Sequence, residues 1–177
     1  MNKKLIIVLL ACVALFVSCN EEDNYESDLS VQILAGEWQV FGDPYMGDDG
    51  WILRTANTVE NSKNAIILTD AQSFWYFTVK VPAEPWSPSF GQETPVTNLY
   101  YDVDVQDPII VPYDIGVIVK NGKVTPKAIT LPSGWKADKI SFTLAFEDDY
   151  PEYAEYRIVG YRISGFLEDV GYVYHEQ

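Results

Sequence analysis

Cysteine is almost absent from this chain of 177 residues, and both copies, Cys12 and Cys19, lie close to the N-terminus. No disulfide can therefore crosslink the body of the chain, and no cysteine there is available to hold a zinc ion. The folded part must be stabilised mainly by the burial of its apolar side chains.

Histidine is equally scarce, because the only copy, His175, is the third residue from the end. A serine nucleophile needs a base beside it, and no G-x-S-x-G elbow occurs in the sequence. We therefore predict no catalytic residue, no cofactor and no metal centre. Two alternatives stay open: a pair of carboxylates suffices for glycoside hydrolysis, and the acidic clusters 48–49 and 147–149 offer calcium its preferred oxygen ligands, although neither follows an EF-hand loop.

Basic residues are few, with 12 lysines and arginines against 26 acidic residues and a formal net charge of -14. Binding of a phosphate backbone needs a basic surface, so nucleic acid is excluded as a partner.

Helical periodicity is also nearly absent, except for a short turn of helix predicted over 28–35 and ended by Gly36. Residues after 36 instead alternate between apolar and polar, as in Trp75, Phe77 and Val79 against Tyr76 and Thr78. Asn121-Gly122 predicts a two-residue hairpin turn. The pattern indicates about nine short strands of an antiparallel barrel or sandwich, at 38–41, 51–56, 65–69, 73–81, 99–105, 116–124 with its hairpin, 128–131, 140–146 and 155–164.

One long segment, 82–95, is rich in proline and is predicted to be neither a central strand nor a short turn. Loops of this length are often functional. Its two aromatic residues, Trp86 and Phe90, are candidates for ligand contacts.

The first residues have the features of a bacterial secretion signal: Lys3 and Lys4, then an apolar run that ends just before Cys19. A small residue before a cysteine resembles a lipobox, which predicts a signal peptide over 1–18, a lipid attached to Cys19, an acidic tether over 19–30 and one domain over 31–177. A match at Cys12 would leave too short an apolar segment, and an ordinary cleaved signal is the other alternative. We expect an outer-membrane lipoprotein anchored through Cys19 and exposed on the cell surface, with a periplasm-facing orientation as the alternative.

Several segments resemble a family of Bacteroidota lipoproteins described as "lipid-binding putative hydrolase". The matching segments are "LAGEW" at 34–38, "RTANT" at 54–58, "SFWYFTVKV" at 73–81 and "GYRISGFLED" at 160–169. The resemblance implies an all-β fold with a single antiparallel lipocalin-like (calycin) β-barrel of about eight to nine strands.

The resemblance also implies a structural role for the G-x-W motif of Gly36 and Trp38. In lipocalin-like barrels this tryptophan closes one end of the barrel and an arginine of the last strand packs over its ring. Arg162 is the matching arginine, with Arg157 as the substitute if the register differs. The contact would be a cation-π interaction.

Two kinds of binding are then open. The first is a small hydrophobic ligand, such as a lipid, inside the barrel, lined by Trp75, Phe77, Tyr101, Phe142 and Phe146, with Trp86 and Phe90 at the mouth. The same bulky residues would equally serve as an ordinary core. The alternative is a surface module that binds a glycan or a partner protein through exposed aromatic residues, with Trp86 and Phe90 either exposed or folded against the barrel.

Overall fold

The computed structural model describes residues 31–43, 50–70, 73–103 and 110–174. The predicted signal peptide, the acidic tether, the lipidated Cys19, the acidic pair 48–49 and His175 lie outside the described residues, so the predictions about them stay predictions. In the described ranges no helix has the length and apolar character needed to cross a membrane.

The described residues form eleven strands, and helix is limited to a single 3-10 turn at Leu167–Asp169. The strands are β1 (Gly36–Asp43), β2 (Trp51–Asn57), β3 (Ala65–Thr69), β4 (Thr78–Glu84), β5 (Ser89–Phe90), β6 (Val96–Thr97), β7 (Tyr101–Val103), β8 (Ile110–Pro112), β9 (Gly116–Thr130), β10 (Lys136–Phe146) and β11 (Tyr156–Arg162).

Eight of these strands close into an antiparallel barrel. The sheet runs in the order β10-β11-β1-β2-β3-β4-β5-β9, and β9 pairs again with β10 to close the circle. Strand β6 is added to β9, and β7 and β8 form a separate two-stranded sheet. The predicted all-β fold with one antiparallel barrel is therefore confirmed.

The two ends of the barrel follow from the strand directions. We call the end at which β1 starts and β11 finishes the floor; the turns 58–64, 85–88 and 131–135 lie at this end. We call the opposite end the mouth; it carries residues 70 and 73–77, residues 91–103 and 110–115, and the connection 147–155. Segment 82–95 was expected near the mouth, but the turn between β4 and β5 lies at the floor, so that expectation is wrong.

The N-terminal segment packs into the floor. Residues 31–35 form one hydrogen-bonded turn, in which Leu34 N and Ala35 N donate to Val31 O at 2.8 and 3.1 Å. The side chains of Val31 and Leu34 are fully buried beside Trp38. The described part of the predicted helix over 28–35 is thus a single turn.

The sequence Asn121-Gly122 does not form the predicted hairpin. Strand β9 continues through it, and both halves of β9 pair with β10, with a register shift between Ser141 and Thr143. Asn121 has a φ of 57°, so the residue that tolerates the left-handed region is used in a bulge. Both a bulge and a primed turn need a residue with a positive φ. Which of the two forms depends on the strands that pair with this segment, and these are distant in the sequence.

The strand predicted over 73–81 is also shorter than expected. Strand β4 begins only at Thr78, and Tyr76 has a φ of 55°, which no regular strand allows. The strand predicted over 99–105 is reduced in the described residues to Tyr101–Val103, paired with Ile110–Pro112 outside the barrel. Tyr101 was predicted to face the interior, and this is wrong, because its side chain is 57% exposed.

Proline did not exclude the start of segment 82–95 from the barrel, since Pro82 lies in β4 opposite Ala65 of β3. The neighbouring Ala83 N donates to Asn64 O, so the nitrogen of Pro82 faces away from β3 and towards the end of β5. There Pro82 O still accepts from Gly91 N at 2.8 Å. The missing N–H therefore removes a bond only where β5 has already ended.

The chain after β11 covers the outside of the barrel. Tyr161 packs with Ile129, Leu131 and Ala137 in a second apolar cluster, and Tyr172 lies against it. The carboxylate of Asp169 accepts hydrogen bonds from Ser133 N and Ser133 Oγ, both at 2.8 Å, and from Ser164 Oγ. These bonds fix the residues around the 3-10 turn next to the β9–β10 turn at the floor.

Candidate functional site

The floor of the barrel is closed by Trp38 and Arg162. Trp38 is fully buried, and the guanidinium carbon of Arg162 lies 4.3 Å from the centroid of its ring. Arg162 Nε donates to Asp138 Oδ2 at 3.0 Å, and its other nitrogens donate to Ile33 O at 3.0 Å and to Ala35 O. Arg162, and not Arg157, therefore ties the last strand to the N-terminal turn.

Gly36 and Thr55 complete the floor. A Cβ at Gly36 would collide with Arg162 Nη1, so only glycine leaves room for the guanidinium group. Trp38 Nε1 donates to Thr55 Oγ1 at 2.8 Å, and that hydroxyl donates to Leu34 O at 2.5 Å. These polar groups are all used for closure, whereas Asn57 Oδ1, at the floor end of β2, is a buried acceptor without a partner among the described residues.

The mouth is covered by a continuous run of aromatic rings. Trp51 stacks on Phe74 with centroids 4.8 Å apart, and Phe74 contacts Trp75 at 5.4 Å. Trp75 lies flat on Phe146 at 4.6 Å with an interplanar angle of 6°. Phe146 then meets the fully buried Phe77 edge-on at 5.6 Å. We call Trp51, Phe74, Trp75, Phe77 and Phe146 the aromatic lid.

The loop that carries three residues of the aromatic lid is held by a single carboxylate. Asp70 Oδ2 accepts from Phe74 N, Trp75 N and Tyr76 N at 3.0, 2.8 and 2.8 Å, and Oδ1 accepts from Phe77 N at 3.2 Å. Asp70 is fully buried. Because residues 73–77 form no strand, this carboxylate replaces the sheet hydrogen bonds that the alternating sequence had predicted.

Trp51 contains a buried donor that finds no acceptor among the residues that the structure describes. Its side chain faces the interior opposite Val40, it is 5% exposed, and its Nε1 makes no hydrogen bond. An unpaired buried donor costs about 1 to 3 kcal/mol. In contrast, Trp38 Nε1 at the floor is satisfied by Thr55 and Trp75 Nε1 by Asp148. Of these three indoles, that of Trp51 is the one left for an external acceptor.

The acidic loop 147–155 borders the aromatic lid. Trp75 Nε1 donates to Asp148 Oδ1 at 3.1 Å, and Tyr113 donates its hydroxyl to the same carboxylate. Tyr156 donates to Asp149, and Gly116 N donates to Glu147 Oε2 at 2.6 Å. The acidic cluster 147–149 therefore binds donors of the chain itself, and in the described ranges no three metal-ligating side chains form a group that could hold a cation.

The same contacts perturb two tyrosines. Burial, reinforced by the hydrogen bond to Asp148, raises the pKa of Tyr113 to about 12. The hydrogen bond to Asp149, followed by burial, raises the pKa of Tyr156 to about 12. Both phenols stay protonated at neutral pH, which makes them hydrogen-bond donors and gives neither the character of a general base.

The remaining sequence-predicted ligand residues are divided between the core and the surface. Phe142 and Phe90 are buried against each other, with centroids 5.8 Å apart, so both belong to the barrel core. Trp86 is 95% exposed in the turn between β4 and β5 at the floor, far along the strands from the aromatic lid. The structure thus brings Trp75, Phe77 and Phe146 together at the mouth and leaves Trp86, Phe90, Tyr101 and Phe142 elsewhere.

Sequence reasoning missed three residues of this site: Trp51, Phe74 and Asp70. Trp51 alternates with Leu53 and Thr55 in β2, so the period of two places it on the interior face and would have identified it. Phe74 and Asp70 carry no such signal, because their positions depend on the irregular loop.

Two further aromatic residues stack on each other beside the mouth. Tyr76 and Tyr100 stack with centroids 5.7 Å apart and an interplanar angle of 19°, and Tyr76 is 51% exposed. Asn98 links the segments that carry these two residues, since its side-chain amide donates to Tyr76 O and its side-chain carbonyl accepts from Tyr100 N.

Two open depressions, of about 300 and 320 Å³, lie on the outer surface on either side of Asn121. Polar groups such as Asp43, Glu155 and Arg157 line the first, and the β4–β5 turn lines the second. Neither includes Trp51, Phe74 or Trp75, so the aromatic lid remains the candidate site.

A search of curated proteins finds no match to this sequence. A family model does match: the family described as "lipid-binding putative hydrolase" covers residues 23–167, which include the whole barrel, the floor and the aromatic lid. The chain belongs to this family.

Proposed function

We propose that the protein is a cell-envelope lipoprotein, anchored through Cys19, that binds a small hydrophobic ligand at the mouth of its barrel. Membership of a lipid-binding family and the barrel fold support binding of a lipid or a similar molecule. The ligand contacts the aromatic lid, because the interior below it is filled by its own side chains: Val79, Val119 and Leu144 are all fully buried.

The observation that carries this proposal is the unpaired N–H of Trp51, which is buried among aromatic rings. Ligand sites in proteins combine apolar walls with a few polar groups that fix orientation. An oxygen of the ligand accepts the hydrogen bond from Trp51 Nε1, and its hydrocarbon part packs against Phe74 and Trp75. Binding then removes the cost of the unpaired donor.

Charge favours a neutral ligand over an anion. The loop 147–155 contains five acidic residues and no basic residue. Lys120, on the mouth half of β9, is already paired with Glu155 at 2.7 Å and Glu93 at 3.3 Å. A carboxylate ligand would be repelled by the negative potential of this loop, whereas an ester or an alcohol offers an acceptor oxygen without charge.

Access to the site requires the loop 73–77 to move. Asp70 holds its backbone, and the edge of Trp75 is fixed by Asp148. Residues 73–76 form no sheet hydrogen bond, so this part of the loop can shift while the fully buried Phe77 stays in the core.

Calorimetric titration with three probes of matched chain length tests the proposal. Methyl laurate carries an ester, tridecane carries no acceptor, and laurate carries a charge. We expect methyl laurate to bind most tightly, and Trp51→Phe to weaken it about threefold to tenfold, the value of one neutral hydrogen bond, with no effect on tridecane. Native mass spectrometry of the purified protein shows whether a ligand copurifies. Binding of none of the three probes, with no copurified ligand, would reject the proposal.

The lipid anchor has its own test. Mass spectrometry of the mature N-terminus should show an acylated cysteine at residue 19, and Cys19→Ser should release the protein from the membrane fraction. Protease treatment of whole cells separates the surface-exposed orientation from the periplasm-facing one. A mature N-terminus other than residue 19 would reject the anchor but leave the ligand site untouched.

A second candidate function rests on the stacked pair Tyr76 and Tyr100. Exposed aromatic rings stack on sugars and anchor protein partners, so this pair fits a surface module that recognises a glycan or a protein. The double variant Tyr76→Ser, Tyr100→Ser should abolish such recognition and leave the binding of methyl laurate unchanged. Retention of glycan or partner binding by this variant would reject the second candidate.

A further inference from the structure

The floor end of the barrel carries an unusual set of exposed apolar side chains. They are distributed over the turns 58–64, 85–88 and 131–135 and the segment after β11. We call this set the floor rim: Val59, Trp86, Trp135, Phe166, Leu167 and Val170, which are 105%, 95%, 53%, 48%, 87% and 77% exposed.

The mouth differs from the floor in the chemistry of its exposed side chains. The large exposed hydrophobic residues on that side are mostly phenols, namely Tyr76, Tyr101 and Tyr150, with Leu99. The phenols can hydrogen-bond water, whereas the valines, leucine and phenylalanine of the floor rim cannot. Tryptophan combines an apolar body with one polar group and is favoured at membrane interfaces.

Position along the chain connects the floor rim to the predicted anchor. The described chain begins at Val31, which is buried in the floor, so residues 19–30 join the barrel at this end. Twelve residues span at most about 40 Å even when fully extended. A lipid at Cys19 therefore keeps the floor rim, and not the mouth, close to the bilayer surface.

Charge acts in the same direction. Lys63, Lys127 and Lys136 lie in or beside the floor connections together with Glu60, Glu84 and Glu168, so charge there is nearly balanced, whereas the loop 147–155 at the mouth carries only acidic charges. A membrane with anionic head groups therefore repels the mouth more strongly than the floor.

The rim side chains are also held in place. Trp135 packs against Phe166 with centroids 6.1 Å apart, and Asp169 fixes Ser133 and Ser164 on either side of this contact. Because the backbone around these residues is already ordered, insertion of the side chains into lipid costs little additional ordering of the chain.

We infer that the floor rim inserts into the surface of a lipid bilayer, so that the barrel stands on the membrane that holds its anchor, with the mouth directed away from it. The occupant of the rim is the bilayer interface. The tether then limits the distance between anchor and barrel and does not hold the domain clear of the lipid. This inference rests on the proposed anchor at Cys19 and is independent of what binds at the mouth.

Tryptophan fluorescence of the lipidated protein in vesicles of dibromo-phosphatidylcholine tests the inference. Trp38 and Trp51 are buried and Trp75 lies at the mouth, away from the floor rim. Bromine quenching should therefore come from Trp86 and Trp135, and the double variant Trp86→Phe, Trp135→Phe should lose it. Leu167→Glu should reduce the quenching of the wild-type tryptophans at least twofold. The matched control Tyr150→Glu, at an equally exposed position of the mouth, should leave the quenching unchanged.

Three results would overturn the inference. The first is that Trp86 and Trp135 are quenched by aqueous acrylamide but not by the brominated lipid. The second is equal effects of Leu167→Glu and Tyr150→Glu. The third is a dimer in sedimentation that Leu167→Glu abolishes, which would assign the rim to a second copy of the chain. The mass of the N-terminus, measured on the same sample, separates failure of the anchor from failure of the docking.

Discussion

The indole of Trp75 lies flat on the ring of Phe146, 4.6 Å between centroids, and its Nε1 donates to Asp148 at the edge of the barrel. This contact joins an irregular loop to the last residue of strand β10, and the indole covers the fully buried Phe77 and Phe146. The mouth of the barrel is therefore closed by a loop residue, and the floor by a strand residue, Trp38.

Replacement of Trp75 by alanine should remove this cover. Because the side chain is partly exposed, we expect the free energy of unfolding to fall by about 2 kcal/mol, below the range for fully buried aromatic residues. Association of methyl laurate should become faster in stopped-flow measurements. Trp86→Ala, a control at a position that is 95% exposed, should change both quantities little. An unchanged association rate in Trp75→Ala would show that the loop does not control access.

Trp38→Ala should destabilise the barrel much more, by about 3 to 5 kcal/mol in urea titration. The change leaves a cavity, removes the partner of Thr55 and exposes the face on which Arg162 packs. Gly36→Ala should also destabilise the fold, since its Cβ would displace the same guanidinium group. Wild-type stability in Trp38→Ala would contradict the role of this residue as the floor.

Asp70→Asn should loosen the aromatic lid. An amide group keeps one acceptor oxygen but turns an N–H₂ group towards backbone donors, so some of the four bonds to residues 74–77 must be lost. We expect faster hydrogen exchange of these four amides and a loss of about 2 to 3 kcal/mol of unfolding free energy. Unchanged protection of the four amides would show that the carboxylate does not hold the loop.

Stability should fall steeply at alkaline pH. In addition to Tyr113 and Tyr156, burial with the nearby Asp169 carboxylate raises the pKa of Tyr161 to about 12. The unfolded phenols titrate near pH 10, so the folded state holds more protons between about pH 10 and pH 12, and the stabilisation present below pH 10 is lost as the pH rises through this window. Phenolate absorbance follows the titration of the tyrosines, and urea midpoints follow the stability. Tyr156→Phe should flatten the pH dependence of the urea midpoint. A midpoint that is independent of pH in this window would contradict the environment assigned to these phenols.

Trp51→Phe should not destabilise the ligand-free protein in the way that a core truncation does. The substitution keeps an aromatic ring on Phe74 and removes an unpaired donor, so gain and loss offset each other to within about 1 kcal/mol. Thr55→Val is a suitable contrast, because it removes the acceptor of Trp38 Nε1 and should cost more. A large loss in Trp51→Phe, equal to that of Trp38→Ala, would show that the indole N–H is not the feature that distinguishes this position.

The fold was predictable from the local sequence pattern wherever a strand has one buried face and one solvent-exposed face. The expected strand 65–69 coincides with Ala65–Thr69, and the alternation of the buried Val79 and Val81 with exposed residues is that of β4. The prediction was wrong where a distant partner decides the conformation: β10 pairs across Asn121 and converts an expected turn into a bulge, and the Asp70 carboxylate turns residues 73–77 out of the sheet.

The same distinction applies to the candidate site. The alternation placed Trp75, Phe77 and Phe146 together, but no local pattern indicates that Phe74 stacks on Trp51 or that the indole of Trp51 lacks an acceptor. Trp86 and Phe90 share a proline-rich segment, yet Trp86 is exposed in the turn at the floor and Phe90 is buried, because Phe90 lies in β5, a two-residue strand of the barrel.

The most direct test of the ligand site is the NMR signal of the Trp51 indole N–H, one of five tryptophan signals and identified by its absence in Trp51→Phe. On titration with methyl laurate we predict that this proton moves downfield as it forms a hydrogen bond with the ester oxygen, while the signal of Trp38 stays in place. Tridecane should leave the Trp51 signal without that downfield movement. Binding of methyl laurate with an unmoved Trp51 signal would contradict the account.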